Sequence, residues 1–148
     1  MSQPNGTTLD ISAVRLSPGV EDDGWIAPTY AQALQGARQF YQTSFPPGTK
    51  PAQNAGATGQ QCVGNPIANG QPALTIPFGQ PMIVAPTITT FNPSAANANW
   101  RDTTASADVA ASVPAASISQ NGFTIQSGGP VTTVNDLLCI HWTADGGI

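Results

Sequence analysis

Residues 137–148 read LLCIHWTADGGI, and this stretch carries the clearest strand pattern in the chain. Successive side chains of a strand point to opposite faces. One face therefore holds Leu138, Ile140, Trp142 and Ala144, and the other holds Leu137, Cys139, His141 and Thr143. Both faces are largely apolar, which predicts a strand buried on both sides, either within a β-sandwich or at a subunit interface.

The composition limits the classes of partner that the chain can have. Its 148 residues suffice for one modest domain, or for one small domain with an appendage. Only 8% of the residues are charged, against about 25% in typical domains, and the net charge is −4. The four basic residues are not clustered, which argues against nucleic-acid binding. No apolar run approaches the ~20 residues that span a bilayer, and no signal-peptide pattern opens the chain.

Glycine and proline divide the chain into short segments. The 15 Gly and 14 Pro favour short strands and loops over helices. A polar leader over residues 1–8 precedes a first predicted strand over 9–16. The acidic stretch 21–24 is predicted to be a solvated turn. Residues 51–70 are predicted to form a loop that crosses a surface. Further strands are predicted at 74–78, 82–91 with a bend at Pro86, 100–102, 109–113, 116–118 and the terminal stretch, with a hairpin turn at Asn121-Gly122.

These segments predict a mainly β fold with one helix before it. The expected architecture is a small antiparallel β-sandwich or jelly-roll-like domain of about six to eight strands. The predicted organisation is a leader with a short strand or linker over residues 1–24, a helix over 25–48, and a distal β domain over 49–148.

The helix has a clear start and an apolar seam. Thr29 and Gln32 form a Thr-x-x-Gln capping box, and the helical pattern runs to Thr43, before Pro46-Pro47-Gly48. A narrow seam is formed by Tyr30, Leu34, Ala37 and Tyr41. The alternating spacing of four and three residues suits a short coiled coil, and packing on the following β domain suits it equally. The seam is therefore a candidate for oligomerisation, with the alternative left open.

Little in the sequence indicates catalysis or a cofactor. His141 is the only histidine, and Asp145 on the same strand would be ~13 Å away, so His141 is expected to be a packed, hydrogen-bonded residue. No facing pair of carboxylates is recognisable, and Cys62, Cys139 and His141 make an incomplete zinc set. The two cysteines are expected to be free, partly buried thiols, although the sequence leaves their pairing open. The chain is predicted to be non-enzymatic, without metal or cofactor.

A polar loop with an aromatic residue is the candidate ligand site. Planar amides and carboxylates can hydrogen-bond to sugar hydroxyls, while an aromatic face stacks on sugar C–H groups. The residues that supply these groups are Asn97, Asn99, Trp100, Arg101 and Asp102.

Two regions of the sequence resemble proteins of tailed bacteriophages. Residues 8–19 and the helix end at 37–41 are similar to a junction in tail and fibre proteins, although Arg15, Ser17, Ala37-Arg38-Gln39 and Phe40 depart from that pattern. The jelly roll that precedes this junction in those proteins is missing, so its sugar-binding role does not transfer. Residues 78–89 and the terminal Ile-His-Trp-Thr-Ala-Asp of 140–145 resemble the C-terminal domain of the same proteins, where a closing His-Trp-Thr-Ala-Asp strand recurs.

The resemblance implies a virion tail-fibre or appendage protein, made in the host cytoplasm and assembled as a homotrimer. Its partners would be further copies of itself, other virion tail proteins and a host-surface receptor, with a polysaccharide among the candidates. The alternatives are a purely structural virion component, such as a collar, adaptor, decoration or trimerisation tip, and a fragment of a capsular depolymerase. No membrane insertion is expected, and the resemblance marks no catalytic residue.

Overall fold

A computed structural model describes residues 27–131 and 133–147. The leader, the strand predicted over residues 9–16 and the acidic stretch 21–24 lie outside the described residues. One helix and nine strands are present in the part described. They are α1 Tyr30–Arg38, β1 Tyr41–Thr43, β2 Gln61–Gly64, β3 Ala73–Pro77, β4 Thr87–Phe91, β5 Trp100–Asp102, β6 Ala107–Val109, β7 Ala111–Ser112, β8 Gly122–Ser127 and β9 Leu137–Asp145, with a 3₁₀ turn at Ala115–Ser117.

Strand β9 is the centre of the larger, antiparallel sheet. Its second half pairs with β1 along one edge and with β4 along the other, since both neighbours share residues 143–145 of β9. Its first half pairs with β2 and β5 in the same way, and β6 extends the sheet beyond β5. Seven consecutive residues of β9, from Leu138 to Ala144, are buried. The prediction that the terminal strand is buried on both faces is confirmed.

A smaller antiparallel sheet, in the order β3-β8-β7, provides the second layer. Its inward side chains Ile76, Phe123 and Ile125 belong to one buried cluster with Leu138, Ile140 and Trp142 of β9, the face that alternation had assigned together. Phe123 packs edge-on against Trp142, with ring centroids 5.1 Å apart. The prediction of a mainly β fold is confirmed, and its two antiparallel sheets are consistent with a small β-sandwich.

The opposite face of β9 is covered by the loop between β1 and β2. Phe45 from this loop stacks on the His141 ring at 4.2 Å, and Phe91 meets Phe45 edge-on. On the same face, Cys62 of β2 and Cys139 of β9 stand directly opposite each other, with Cα atoms 4.1 Å apart, and form a disulfide. The expectation of two free thiols is therefore wrong, because directly opposed residues of an antiparallel pair come close enough to bond.

Helix α1 begins as predicted and ends early. The capping box is confirmed, since the Thr29 hydroxyl accepts from the Gln32 amide and the Gln32 side chain accepts from the Thr29 amide. The helix stops at Arg38, and the chain enters β1 at Tyr41. The prediction of a helix to Thr43 is wrong because residues 41–43 hydrogen-bond to β9, and this tertiary pairing outweighs local periodicity.

Smaller corrections concern segments with weak local patterns. Residues 51–70 contain β2 and are not one continuous loop, and the strand expected over 82–91 begins only at Thr87, after Pro86. Residues 115–117 form a 3₁₀ turn where a strand was expected at 116–118. The turn at Asn121-Gly122 is present and leads into β8, and a side chain at Gly122 would collide with the carbonyl oxygen of Ile76.

Candidate functional site

The predicted ligand loop is a closed polar network. The Asn92 side-chain amide donates to Asn97 Oδ1 and Asp108 Oδ1, each at 3.0 Å, and Asn97 donates to Asp108 Oδ2 at 2.8 Å. Arg101 completes the network with an ion pair to Asp108 at 3.1 Å. The hydrogen bond from Asn97, followed by those from Asn92 and Arg101, lowers the pKa of Asp108. These side chains bind one another and hold the loop between β4 and β5 in one conformation.

Two of the predicted ligand-binding residues are not available at the surface. Trp100 is fully buried between the sheets, and its indole N–H donates to the carbonyl oxygen of Gln126 at 3.3 Å. Asp102 is 3% exposed, and its carboxylate accepts the amides of Thr104 and Ala105 in the following turn. The prediction that Trp100 stacks on a ligand is wrong, because neither face of its ring is free. Asn97, Asn99 and Arg101 remain partly exposed in the loop.

The fold brings together a carboxyl pair that the sequence analysis did not recognise. Asp102 and Asp136 are both 3% exposed, and Asp102 lies near enough to act on the Asp136 carboxyl. Burial, and then the neighbouring Asp102 carboxyl, raise the pKa of Asp136. The raised pKa of Asp136 thus reflects a buried position beside a second carboxyl group.

His141 has the packed role expected of it, and it has a partner that its sequence neighbours do not reveal. Its Nδ1 lies 2.9 Å from Ser44 Oγ and its Nε2 lies 3.0 Å from the Gly56 carbonyl oxygen. A carbonyl only accepts, so Nε2 carries the proton and Nδ1 accepts from the Ser44 hydroxyl. The Ser44 oxygen also accepts the Trp142 amide, and His141 is 1% exposed beneath Phe45. Ser44 and His141 are as close as a nucleophile and its base. They resemble such a pair in distance alone, because the His141 ring is buried away from solvent.

Acidification is expected to destabilise the fold through His141. Burial lowers the pKa of His141 below its usual 6.5, while the Gly56 carbonyl has the smaller, opposite effect. The unfolded chain therefore binds the proton first, so stability is full above about pH 6.5 and falls as pH decreases towards the folded-state pKa. Urea unfolding midpoints, measured between pH 5 and 8, should stay level above about pH 6.5 and decline below it. The decline should be smaller in His141→Gln; an equal decline in that variant would show that His141 is not its cause.

Three of the four predicted oligomerisation residues, all but Tyr30, line an open groove beside β1. No residue of α1 is buried, and the exposed fractions are 82% for Tyr30, 36% for Leu34 and 42% for Tyr41. Leu34, Ala37 and Tyr41 line a cavity of about 660 Å³ together with Pro46, Pro47 and Pro77. Tyr41 contributes from a strand and not from the helix, yet the seam residues still converge. We call α1 with this groove the helix-end surface.

Three exposed aliphatic side chains mark the other end of β9. Ile67 is 64% exposed, Val134 45% and Leu137 41%, and we call this set the far-end patch. Asn65, fully buried, joins the two turns that carry Ile67 and Val134, because its side-chain amide donates to the carbonyls of Val131 and Thr133. Leu137 and Asp145 are eight positions apart on the extended β9, which places the two surfaces ~26 Å apart along the strand.

No protein-family model, curated protein or solved structure matches this chain. Within residues 27–131 and 133–147, no group of His, Cys, Asp or Glu side chains is arranged to hold a metal ion. In the same residues, no helix is long and apolar enough to cross a membrane.

Sequence reasoning found the seam and missed both the groove and the far-end patch. The groove joins residues from α1, β1 and the loops near Pro46 and Pro77, which are far apart in sequence. Ile67 and Val134 are isolated apolar residues in polar stretches, and such residues are common in surface loops. Only their common position at one end of β9 makes them a patch.

Proposed function

We propose that this chain is a non-enzymatic domain of a bacteriophage tail fibre or appendage, assembled as a homotrimer and attached to a host-surface receptor. The observation that carries the proposal is the presence of exposed apolar surfaces at the two ends of β9. A surface of this kind marks a contact site in many proteins. The helix-end surface would join the copies, and the far-end patch would face the receptor.

Three copies held together would strengthen a weak receptor contact. Once one copy is bound, the others meet the receptor at a high effective concentration, so avidity exceeds the affinity of a single patch. A closed ring of three copies also satisfies the symmetry that most homo-oligomers adopt. The receptor would be a component of the host surface, and a polysaccharide is one class to test.

A purely structural virion role is the second candidate. It is favoured by the network around Asn92, whose amide and carboxylate groups are bonded to one another. Few of these groups are free to form hydrogen bonds with the hydroxyls of a sugar. In this alternative the far-end patch would contact another tail protein, and the domain would serve as a collar, adaptor or tip.

The mass in solution tests the assembly. We expect the full chain to sediment as a trimer and Leu34→Asp to sediment as a monomer, because the substitution places a charge in the apolar helix-end surface. Gln35→Asp is the matched control, since it adds the same charge on the opposite face of α1 and should stay trimeric. A Leu34→Asp protein that remains trimeric would show that this surface does not join the copies.

Adsorption separates receptor binding from a structural role. The purified trimer, incubated with a panel of bacterial strains, should bind a strain that the corresponding phage infects and should compete with that phage. A stable trimer that adsorbs to no such strain would favour the structural role. Release of reducing ends from a capsular polysaccharide would favour the depolymerase alternative instead.

A further inference from the structure

The outer edge of β1 offers backbone groups that no described residue uses. The Gly146 amide bonds to the Phe40 carbonyl at 2.8 Å, and the Ser44 amide bonds to the Trp142 carbonyl at 3.1 Å. In an antiparallel pair, alternate residues direct their N–H and C=O groups towards the partner strand. The backbone N–H and C=O groups therefore point towards β9 at Phe40, Gln42 and Ser44. They point away from β9 at Tyr41 and Thr43. Among the described residues, no backbone group bonds to these two from outside.

The groove beside this edge suits an extended segment of chain. Tyr41, Gln42 and Thr43 form one of its sides, and Leu34 and Ala37 of α1 form another. Its other walls include Pro46, Pro47 and Pro51 of the loop after β1 and Pro77 of β3, which have no N–H to donate. The prolines therefore do not compete with the outward N–H groups of β1. A strand added to a free edge gains main-chain hydrogen bonds there, while its side chains enter the flanking apolar surface.

We propose that residues 9–16 of a neighbouring copy add as a strand to the outer edge of β1 and close the trimer by strand exchange. This inference rests on the proposed self-assembly and names the segment that performs it. The occupant has the required chemistry, since Leu9, Ile11 and Ala13 share one face of a strand and can enter the apolar groove.

The placement of α1 favours a neighbouring copy over the same chain. Every residue of α1 is exposed, including Tyr30 at its start at 82%, whereas Gln39 and Phe40 just after it are half-buried. The helix thus projects from the domain, and its nine residues carry the preceding chain ~13 Å outwards. Residues 17–29 can then span up to ~40 Å, which is enough to reach an adjacent copy. Exchange of a terminal element is a low-cost route to a closed oligomer.

Disulfide trapping in the full-length chain tests the strand exchange. Tyr41→Cys is combined in turn with Leu9→Cys, Ile11→Cys or Ala13→Cys, because directly opposed residues of paired strands can form a disulfide, as Cys62 and Cys139 do. Asp10→Cys and Ser12→Cys, which point to the other strand face, are the matched controls. On non-reducing gels we expect at least one of the first three pairs to give covalent species of two and three chains, and the controls to give single chains.

A mixture of two single variants identifies the source of the strand. Tyr41→Cys mixed with Ile11→Cys, or with the position that trapped best, should give a two-chain species, which requires contact between copies. Trapping confined to single chains in the double variants would overturn the exchange in favour of pairing within one chain. A wild-type trimer with no trapping at any of the three positions would overturn the exchange and leave the proposed assembly standing. A wild-type monomer would overturn both.

Discussion

Reduction of the Cys62–Cys139 disulfide is expected to lower the free energy of unfolding by about 4–5 kcal/mol. The bond joins residues 77 apart in sequence, so it removes a large share of the conformational freedom of the unfolded chain. It also fixes β2 against β9, where a strand of only four residues pairs with the centre of the sheet. A domain of this size has roughly 5–15 kcal/mol of stability, so the loss would be a large fraction of the total.

Urea unfolding with and without reductant measures this contribution. The midpoint of the wild-type protein should fall on reduction. The double variant Cys62→Ala with Cys139→Ala should unfold near the reduced midpoint and should not respond to the reductant, which controls for any other action of the reagent. Equal midpoints for the oxidised and reduced wild-type protein would show that the cross-link adds nothing to the stability of the fold.

The disulfide also bears on where the protein works. Disulfides persist in oxidising surroundings and are rare in reducing cytoplasm. For a virion component made in the host cytoplasm, as proposed, the bond would form after release from the cell. The buried position of Cys139 would then protect it from later exchange with other thiols.

Strand β9 could be predicted because its signal is local. Nine residues in sequence carry apolar side chains on both faces, and this pattern is enough to indicate a central, doubly covered strand. The capping box of α1 could be predicted for the same reason, since Thr29 and Gln32 lie three residues apart. Where residues within one short segment determine the structure, the sequence was sufficient.

Features that depend on pairing between distant segments could not be predicted from the sequence. Tyr41 continues the helical seam by spacing, and only its pairing with Asp145 turns it into a strand residue. Cys62 lies in a stretch rich in Gly, Ala and Gln without alternation, so nothing local reveals that β2 stands in register with β9. The Ser44–His141 hydrogen bond joins residues 97 apart and follows from the same sheet. Sequence patterns do not report the register of such contacts.

Trp100→Ala is expected to destabilise the fold by about 3–5 kcal/mol. Trp100 belongs to β5 of the larger sheet, is fully buried, and reaches β8 of the smaller sheet through its bond to Gln126. Its removal would leave a cavity between the sheets and remove the side-chain bond to the Gln126 carbonyl. Trp100→Phe keeps most of the ring volume and should lose less, and Tyr30→Ala, at an exposed aromatic residue, should change stability little.

This substitution also tests the assignment of Trp100 to the core and not to a ligand site. If Trp100 stacked on a ligand, replacing it would weaken ligand binding and leave the unfolding midpoint almost unchanged, as for other exposed aromatic residues. If it ties the two sheets together, the midpoint falls first, and binding falls only in proportion to the unfolded fraction. Chemical denaturation of Trp100→Ala, Trp100→Phe and Tyr30→Ala separates these outcomes without knowledge of the ligand. A midpoint of Trp100→Ala equal to that of the wild-type protein would contradict the buried position of Trp100, because a residue between two sheets cannot be removed without loss of stability.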